Sequence, residues 1–309
     1  MRKKHAYLII ANNKYDQLSF LLKLLDNERN DFYILIDRKS SFTDNDKLII
    51  NEAVRHSNIY FVKRIPVYWG DFSLVKAELQ LFSESLHSDT EYSYYHLLSG
   101  SDLPLASSDK ILAFFDRHPN KIFLTYATMN SSVYDRVRYS YYGVRYNRRS
   151  GFSRLTTIPF RAMNKLSLLI QRLNHVDRFG KNKVALGYGS QWVSLDEQTV
   201  QLIDNNSEWI TNTFKHSFLC DELFIPTLLN KYPRFKKKIF FSKPVRDKAT
   251  EFQGNLRYIN WWDGSPYTWR DGDESKIDQG INLGHLFSRK FDLQENPGLK
   301  KYILSITQK

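Results

Sequence analysis

Short apolar runs alternate with amphipathic segments along the first third of the chain. The apolar runs have the length and residue types of buried strands, and they lie at Ala6–Ala11, Asp31–Asp37, Ile59–Val62 and Tyr94–Leu98. Between them, apolar residues at helical spacing predict helices at Tyr15–Leu25, Leu48–His56 and Ser73–Leu86. This βαβαβαβ order predicts an α/β fold with a Rossmann-like, mostly parallel central sheet flanked by helices.

The pattern is less regular after residue 125. Ser131–Ser153 is crowded with tyrosine and arginine, and we expect a loop or mobile flap there rather than a separate domain. Order returns at Ala185–Ser194. Beyond it the pattern predicts helices at Asp196–Asp204 and Asp221–Asn230, and a strand at Ile239–Phe241. Because no linker or repeat interrupts the chain, residues 1–309 are predicted to form a single domain.

The charge balance requires an anionic partner. The chain carries a net charge of +12 and 15% aromatic residues, which suit nucleic acid, a lipid surface or a phosphorylated substrate. No apolar run approaches the length that spans a bilayer. The single cysteine, Cys220, excludes an intramolecular disulfide and favours a reducing cytoplasm.

One segment near the end of the sequence, His285–Asp292, places two adjacent cations among apolar residues. Arg289 and Lys290 have hydrophobic neighbours on both sides. A lysine held between buried aromatics projects a fixed point charge into a cleft, where phosphate is the ligand that fits best. A surface strand with snorkelling basic side chains is the structural alternative.

Acidic residues follow two predicted strands and open one predicted helix. Asp37 ends the second strand, a position that commonly binds a ribose hydroxyl or a base edge, whereas Asp102 follows the fourth strand and equally suits a turn. Asp221 is placed to cap the helix that it opens. That leaves Glu222, between two phenylalanines, as a candidate general base with raised proton affinity.

Two further patterns concern ligand and metal binding. Gly187–Trp192 combines glycines, which permit close backbone approach, with a flat tryptophan face, although a glycine-kinked strand is the alternative. It matches neither a P-loop nor a dinucleotide fingerprint. Asp44–Asp46 and Asp271–Asp273 have the Asp-x-Asp form of metal chelators, but neither directly follows a strand. We therefore expect that no divalent metal is required.

A set of short segments stands in a specific order over most of the chain. They are His5–Ile10, Ile36–Ser40, Val67–Val75, Leu97–Pro104, Gly189–Trp192, Asp221–Glu222 and Leu286–Asp292. In this order the chain resembles the Core-2/I-branching enzyme family, which includes peptide O-xylosyltransferases. The resemblance implies a GT-A-like fold and an inverting glycosyltransferase that uses a UDP-sugar without an essential metal or cofactor.

The resemblance also implies roles for individual residues. By position, Glu222 matches the catalytic base and Lys290 a donor-diphosphate contact, so Arg289 is expected to face solvent. The further donor-binding candidates are Asp37 in a uridine pocket, Asn12, Tyr68, Asp102 and, as a second diphosphate contact, Arg270. The acceptor-binding candidates are Trp192 and Asp221. Residues 1–125 are then the nucleotide-sugar-binding half, and residues 126–309 the acceptor-binding and catalytic half.

The expected setting is bacterial surface polysaccharide, capsule or glycolipid synthesis. Secretory members of the family have a membrane anchor, a stem and several cysteines, and none of these features is seen in this sequence. We therefore expect a cytoplasmic enzyme that acts on a glycan or lipid-linked oligosaccharide. Its basic stretches, Lys231–Lys238 and Arg145–Arg149, predict peripheral contact with the anionic inner face of the membrane. Two alternatives stay open: a nucleic-acid-binding module, and a metal-dependent transferase using Asp271 and Asp273.

Overall fold

The computed structural model describes residues 3–147 and 151–308. Arg148 and Arg149, part of the basic stretch expected to contact a membrane, lie outside the described residues. The strands are β1 Lys4–Ala11, β2 Asn30–Ile36, β3 Asn58–Phe61, β4 Tyr92–Ser99, β5 Leu103–Pro104, β6 Ser194–Asp196, β7 Arg257–Ile259 and β8 Phe287–Arg289.

The helices alternate with these strands in the first half and dominate the second. They are α1 Tyr15–Leu25, α2 Asp44–Asn51, α3 Ser73–Leu86, α4 Ser108–Arg117, α5 Ser131–Arg138, α6 Arg154–Leu173, α7 Glu197–Asn205, α8 Ser207–Phe214, α9 Phe224–Lys231, α10 Pro233–Lys236, α11 Glu274–Asn282 and α12 Gly298–Thr307. In the part of the chain that the structure describes, no helix combines the length and the apolar character needed to cross a bilayer.

The main sheet has the strand order β3-β2-β1-β4-β6. β1 to β4 are parallel, and β6 is added antiparallel to β4. Along β1 the side chains alternate between two hydrophobic clusters, with Ala6 and Leu8 in one and Tyr7 and Ile9 in the other. Helices therefore cover both faces. The predicted α/β class with a mostly parallel central sheet flanked by helices is confirmed.

The helices α1 and α3 have the predicted bounds, whereas α2 begins at Asp44 rather than Leu48. A capping box explains the earlier start: the Asp46 amide donates to Thr43 Oγ1 at 3.2 Å, and the Thr43 amide donates to Asp46 Oδ2 at 2.7 Å. The first Asp-x-Asp pair is therefore part of a helix N-terminus.

Two predictions in the second half were wrong. Part of the segment predicted as a loop, Ser131–Ser153, is the helix α5, whose apolar face is reduced to the buried Val133 and Val137 and gives only a weak periodic signal. The predicted strand at Ile239–Phe241 is also absent, because Ile239 forms an isolated bridge with Ile122 instead of a ladder.

A smaller sheet with the order β5-β8-β7 carries the cationic segment. Arg257 of β7 joins it to the main sheet, since its guanidinium donates to Ser194 Oγ at 2.7 Å and to the Val193 carbonyl at 2.8 Å. Ser194 Oγ also lies 2.7 Å from His96 Nδ1. Burial lowers the pKa of Arg257 to about 9, with the charge of Asp102 acting in the opposite direction. This buried polar network holds the small sheet beside β4.

Candidate active site

Three of the predicted donor-binding residues lie along one edge of the main sheet. Asn12 follows β1, Asp37 follows β2 and Asp102 follows β4. Because β2, β1 and β4 are adjacent and parallel, their carboxyl ends meet at the same edge, where doubly wound sheets bind ligands. The structure therefore brings the strand-end residues together.

The carboxylate of Asp37 organises the loops at the end of β2. Asp37 Oδ2 pairs with Lys39 Nζ at 2.9 Å, and Asp37 Oδ1 accepts the Val67 amide at 3.2 Å. The same Lys39 ammonium lies 4.5 Å from the centre of the Tyr68 ring. Asp37 and Tyr68, predicted separately, thus share one cation, and the exposed Asn12 lies at the end of the neighbouring strand.

Arg289 does not face solvent, which corrects the prediction. Its guanidinium stacks 4.2 Å from the centre of the Trp192 ring, and its Nε lies 3.4 Å from Asp102 Oδ1. Its side chain is 11% exposed, and its Nη1 is buried without a hydrogen-bond partner among residues 3–147 and 151–308. Burial lowers the pKa of Arg289 and the charge of Asp102 opposes that shift. A fixed guanidinium with unused donors is suited to an anion.

Lys290 is the more exposed member of the pair. Desolvation, followed by the charges of Arg289 and Lys14, lowers its pKa. The Trp269 amide donates to the Lys290 carbonyl at 2.9 Å. The backbone of Arg270, the residue after Trp269, therefore lies near the backbone of Lys290. The Arg270 side chain is exposed and lies 5.4 Å from the centre of the Tyr267 ring. The donor-binding roles of Lys290 and Arg270 stay predictions.

The glycine-containing segment Gly187–Trp192 connects these cations to the acidic pair. The Gly189 amide donates to the Glu222 carbonyl at 3.0 Å, and Gln191 Nε2 donates to Glu78 Oε1 at 2.7 Å. A Cβ atom on Gly189 would stand 2.4 Å from the Thr125 carbonyl oxygen, which only glycine avoids. Gly189 therefore lies beside Glu222, and Trp192, three residues later, lies against Arg289.

Asp221 and Glu222 lie in a 3-10 turn, Cys220–Glu222, directly before α9. The expectation that Asp221 caps this helix was wrong, because the N-cap is Leu223 and no side chain caps it. Instead Asp221 is buried, and its Oδ1 has no hydrogen-bond partner in the described part of the chain. The Glu222 side chain is 26% exposed and accepts a 2.7 Å hydrogen bond from Arg136 Nη1.

Three carboxyl groups around this turn have raised pKa values. Burial, and then the charge of Glu222, raises the pKa of Asp221 to about 7. Burial also raises the pKa of Glu222, against the opposing effect of Arg136. Glu78, fully buried in α3, has a pKa well above its usual value because of burial and the nearby Asp221. A partly exposed carboxylate with raised proton affinity is the group that a general base requires.

Sequence reasoning missed Arg136, Glu78 and the contacts of Arg289. Glu78 did leave a signal, since it lies on the buried side of α3 between Ala77 and Leu81, where a charged residue is unexpected. Arg136 left none, because it is one of several arginines in the Tyr/Arg-rich segment. Its pairing with Glu222 spans 86 residues and depends on the tertiary fold.

The carboxylates of the second Asp-x-Asp pair are engaged in local structure. Asp271 Oδ1 accepts the Leu299 amide at 2.9 Å at the start of α12, and Asp273 Oδ2 accepts the Tyr267 hydroxyl at 3.0 Å. Within residues 3–147 and 151–308, no three His, Cys, Asp or Glu side chains are grouped so that they could hold a metal ion.

A cavity of about 670 Å³ opens next to the acidic turn. Its wall includes Trp69 and Phe218 on one side and residues of α6, among them Phe160 and Leu168, on the other. The Leu219 amide donates to the Gly70 carbonyl at 3.0 Å, which holds the Trp69 loop against the segment that leads to Glu222. The lining of the cavity is mostly aromatic and aliphatic.

Replacement of Arg136 by glutamine is expected to shift the acidic limb of the pH–activity profile to higher pH. Arg136 stabilises the ionised form of Glu222, so its loss raises the pKa of Glu222 further, and the predicted base, which would act in its ionised form, then requires a higher pH. The measurement is kcat/KM between pH 5 and 9. Arg138→Gln, which removes an equal charge from the same helix, serves as the control; an unshifted limb in Arg136→Gln contradicts the assignment.

A family model and several relatives match most of the chain. The sequence model of the family described as Core-2/I-Branching enzyme matches residues 5–279. Xylosyltransferase 2 of Rattus norvegicus is 21% identical over 305 residues, covering 94% of this chain and 32% of that protein. Xylosyltransferase oxt of Drosophila melanogaster is 22% identical over 306 residues, with the same coverage of 94% and 32%. The chain thus spans about a third of the length of these relatives.

A solved structure is also similar over most of its length. The apo form of mouse xyloside xylosyltransferase 1 superimposes with a TM-score of 0.40 at 11% identity. The superposition covers 93% of this chain and 97% of the mouse protein.

Proposed function

Because the chain belongs to the Core-2/I-branching enzyme family, we propose that it is an inverting glycosyltransferase that moves a sugar from a UDP-sugar to a hydroxyl group of a glycan. The observation that carries the proposal is the connection between Glu222 and Arg289. One segment joins a carboxylate with a raised pKa to a guanidinium with unused donors, since the Gly189 amide bonds to the Glu222 carbonyl and the Trp192 ring stacks on Arg289. This arrangement suits a displacement in which a base and a leaving diphosphate lie on opposite sides of the reacting carbon.

In the proposed reaction, an acceptor hydroxyl attacks the anomeric carbon of the donor. Glu222 takes the hydroxyl proton as the new carbon–oxygen bond forms. The bond between the anomeric carbon and the diphosphate oxygen breaks, and UDP leaves with the electron pair. Arg289 and Lys290 stabilise the charge that grows on the diphosphate, as preorganised donors do when charge develops in a transition state.

The donor nucleotide is proposed to bind along the strand-end edge. Asp37, held by Lys39 beside Tyr68, would accept hydroxyl or base donors of the uridine, with Asn12 on the neighbouring strand. Asp102 acts on the donor through Arg289, whose guanidinium it orients. Arg270 remains the proposed second diphosphate contact upstream of Lys290.

The acceptor is proposed to enter from the side of the aromatic cavity near Trp69 and Phe218. Trp192 and Asp221 stay the proposed acceptor contacts, although Arg289 occupies one face of the Trp192 ring and Asp221 is buried. The proposed biological setting is cytoplasmic assembly of bacterial surface polysaccharide or glycolipid, which the net charge of +12 and the single cysteine support.

Independence from a divalent metal is part of the proposal. The support is that Asp46 and Asp271 satisfy backbone amides at helix starts, while Asp273 accepts a tyrosine hydroxyl. Lys and Arg side chains would then perform the charge neutralisation that a metal performs in other nucleotide-sugar enzymes.

A thermal-shift screen of nucleotide sugars, with Mn²⁺ or with EDTA, tests donor class and metal need together. We expect UDP and one UDP-sugar to raise the melting temperature equally under both conditions, because ligands that bind only the native state stabilise it. Stabilisation that requires Mn²⁺ would support the metal-dependent alternative. Salt-dependent binding to single-stranded nucleic acid without any effect of UDP would contradict the transferase proposal.

A further inference from the structure

The helix α6 exposes an apolar stripe to solvent. Its side chains recur at helical spacing and are between 51% and 83% exposed: Leu155, Ile158, Leu166, Leu169, Ile170 and Leu173. A surface helix normally turns such a stripe toward the core. A contiguous stripe of exposed apolar side chains marks an interaction site.

The opposite side of α6, which faces the protein, makes several polar contacts. Asn164 Oδ1 accepts the Tyr142 amide at 2.9 Å, and Gln171 Oε1 accepts the Ser140 amide at 2.7 Å. Thr157 is the one buried residue of the helix. These contacts hold the helix in the orientation that directs its apolar stripe outward.

The charges of α6 are all positive. Arg154, Arg161, Lys165 and Arg172 are exposed, and the helix contains no acidic residue. Their spacing places them on one flank of the apolar stripe, since residues separated by seven, eleven or eighteen positions share a helix side. Arg172 also lies 3.7 Å from Asp135. The surface thus combines an apolar stripe with a row of cations.

We propose that α6 is an interfacial helix that docks the protein on an anionic lipid bilayer. The apolar stripe would enter the boundary between headgroups and acyl chains while the flanking cations contact anionic headgroups, as amphipathic helices with basic polar faces do. The helix would lie in the plane of the membrane and not cross it. Docking requires no donor or acceptor, so the proposal goes beyond the transferase function.

The charge row favours a bilayer over a second copy of the chain as the occupant. The same positive row on two copies would repel across a symmetric contact, particularly in a protein with a net charge of +12. A lipid surface supplies the complementary negative charge.

The basic stretch Lys231–Lys238, predicted to contact a membrane, is the weaker surface. Lys231 lies 4.2 Å from the centre of the Trp209 ring, and Lys238 is paired with Asp196. Lys236 and Lys237 are exposed there, but that stretch has no comparable apolar stripe. Replacing lysines of this stretch therefore provides a control that removes charge without touching an apolar stripe.

The test is sedimentation of the full chain with vesicles of phosphatidylcholine, with and without phosphatidylglycerol. We expect binding that requires phosphatidylglycerol. The combined replacement Leu166→Ser, Leu169→Ser and Leu173→Ser should lower the partition coefficient at least about ten-fold, because it removes apolar surface that would enter the bilayer. Arg161→Gln with Lys165→Gln should lower the partition coefficient roughly twenty-five-fold, at about five-fold for each cation removed.

Lys236→Gln with Lys237→Gln removes the same charge from the other basic surface and should leave binding nearly unchanged. An equal loss in this control would assign binding to overall charge and overturn the role of α6. Failure of the unmodified chain to bind anionic vesicles would overturn it as well. A dimer in analytical ultracentrifugation that the leucine variant dissociates, without vesicle binding, would identify a second copy as the occupant.

A labelled variant keeps the test valid if the leucine variant folds poorly. The single cysteine, Cys220, is buried, so Leu169→Cys can be labelled selectively with an environment-sensitive fluorophore. Anionic vesicles should shift its emission to shorter wavelength, whereas a label at Lys236→Cys should not respond. An unshifted spectrum at position 169 contradicts insertion. The rise in melting temperature caused by UDP is measured without lipid. If UDP stabilises the protein but the label does not respond to vesicles, the membrane proposal fails while the transferase proposal stands.

Discussion

Replacement of Glu222 by glutamine is expected to lower kcat by about 10²–10⁴-fold, the range that general-base assistance contributes. Glutamine keeps the size of the side chain and can still contact Arg136, but it cannot accept the acceptor proton. Affinity for UDP should stay within about two-fold, because Glu222 is not among the proposed nucleotide contacts. Single-turnover transfer and calorimetric UDP binding measure the two effects.

The control for this variant is Asp247→Asn. Asp247 is exposed, and its charge raises the pKa of Glu222 without contacting Arg136. Its removal should change kcat only a few-fold and should move the acidic limb of the pH profile to lower pH. Full transfer activity in Glu222→Gln would show that another group is the base.

Replacement of Arg289 by methionine is expected to raise the dissociation constant of UDP about 100-fold. Hydrogen bonds to charged groups contribute about 1.5–3 kcal/mol each, and a guanidinium can donate two to a diphosphate. Methionine retains an apolar stem over Trp192. The variant should also lose thermal stability, because Asp102 is fully buried and would have lost one of its cationic neighbours.

A second replacement separates the structural effect from the ligand effect. Asp102→Asn combined with Arg289→Met removes the buried charge that Arg289 no longer balances, so it should restore part of the lost melting temperature but not UDP affinity. Lys290→Ala should weaken UDP binding about ten-fold without a stability change, since the side chain is an exposed point charge. UDP binding that recovers in the double variant would mean that Arg289 is structural.

The limits of prediction from sequence can be seen in particular residues. The strands β1 to β4 and the helices α1 and α3 were predictable because their apolar spacing is a local property of consecutive residues. The start of α2 was missed because a capping box outweighed the apolar pattern. Asp221 was assigned to a helix cap from its position alone, whereas the chain buries it in a 3-10 turn.

The cationic segment shows the same division. Its two cations and its apolar neighbours were visible in the sequence, and Phe287 and Phe291 are buried as expected. Which cation would be buried was predicted wrongly, because only the fold places Trp192 and Asp102 against Arg289. The outward orientation of the α6 stripe was equally invisible, since periodicity identifies an apolar face without saying where it points.

The sequence by itself therefore determined the order of the elements from β1 to β4, the α/β class, the family resemblance and the candidate residues at strand ends. Each of these depends on neighbours along the chain or on fixed spacings. Only the tertiary structure decided the pairing of Arg136 with Glu222 and the stacking of Arg289 on Trp192. Those contacts join residues far apart in sequence, and the burial that shifts their pKa values exists only once the sheets and helices have packed.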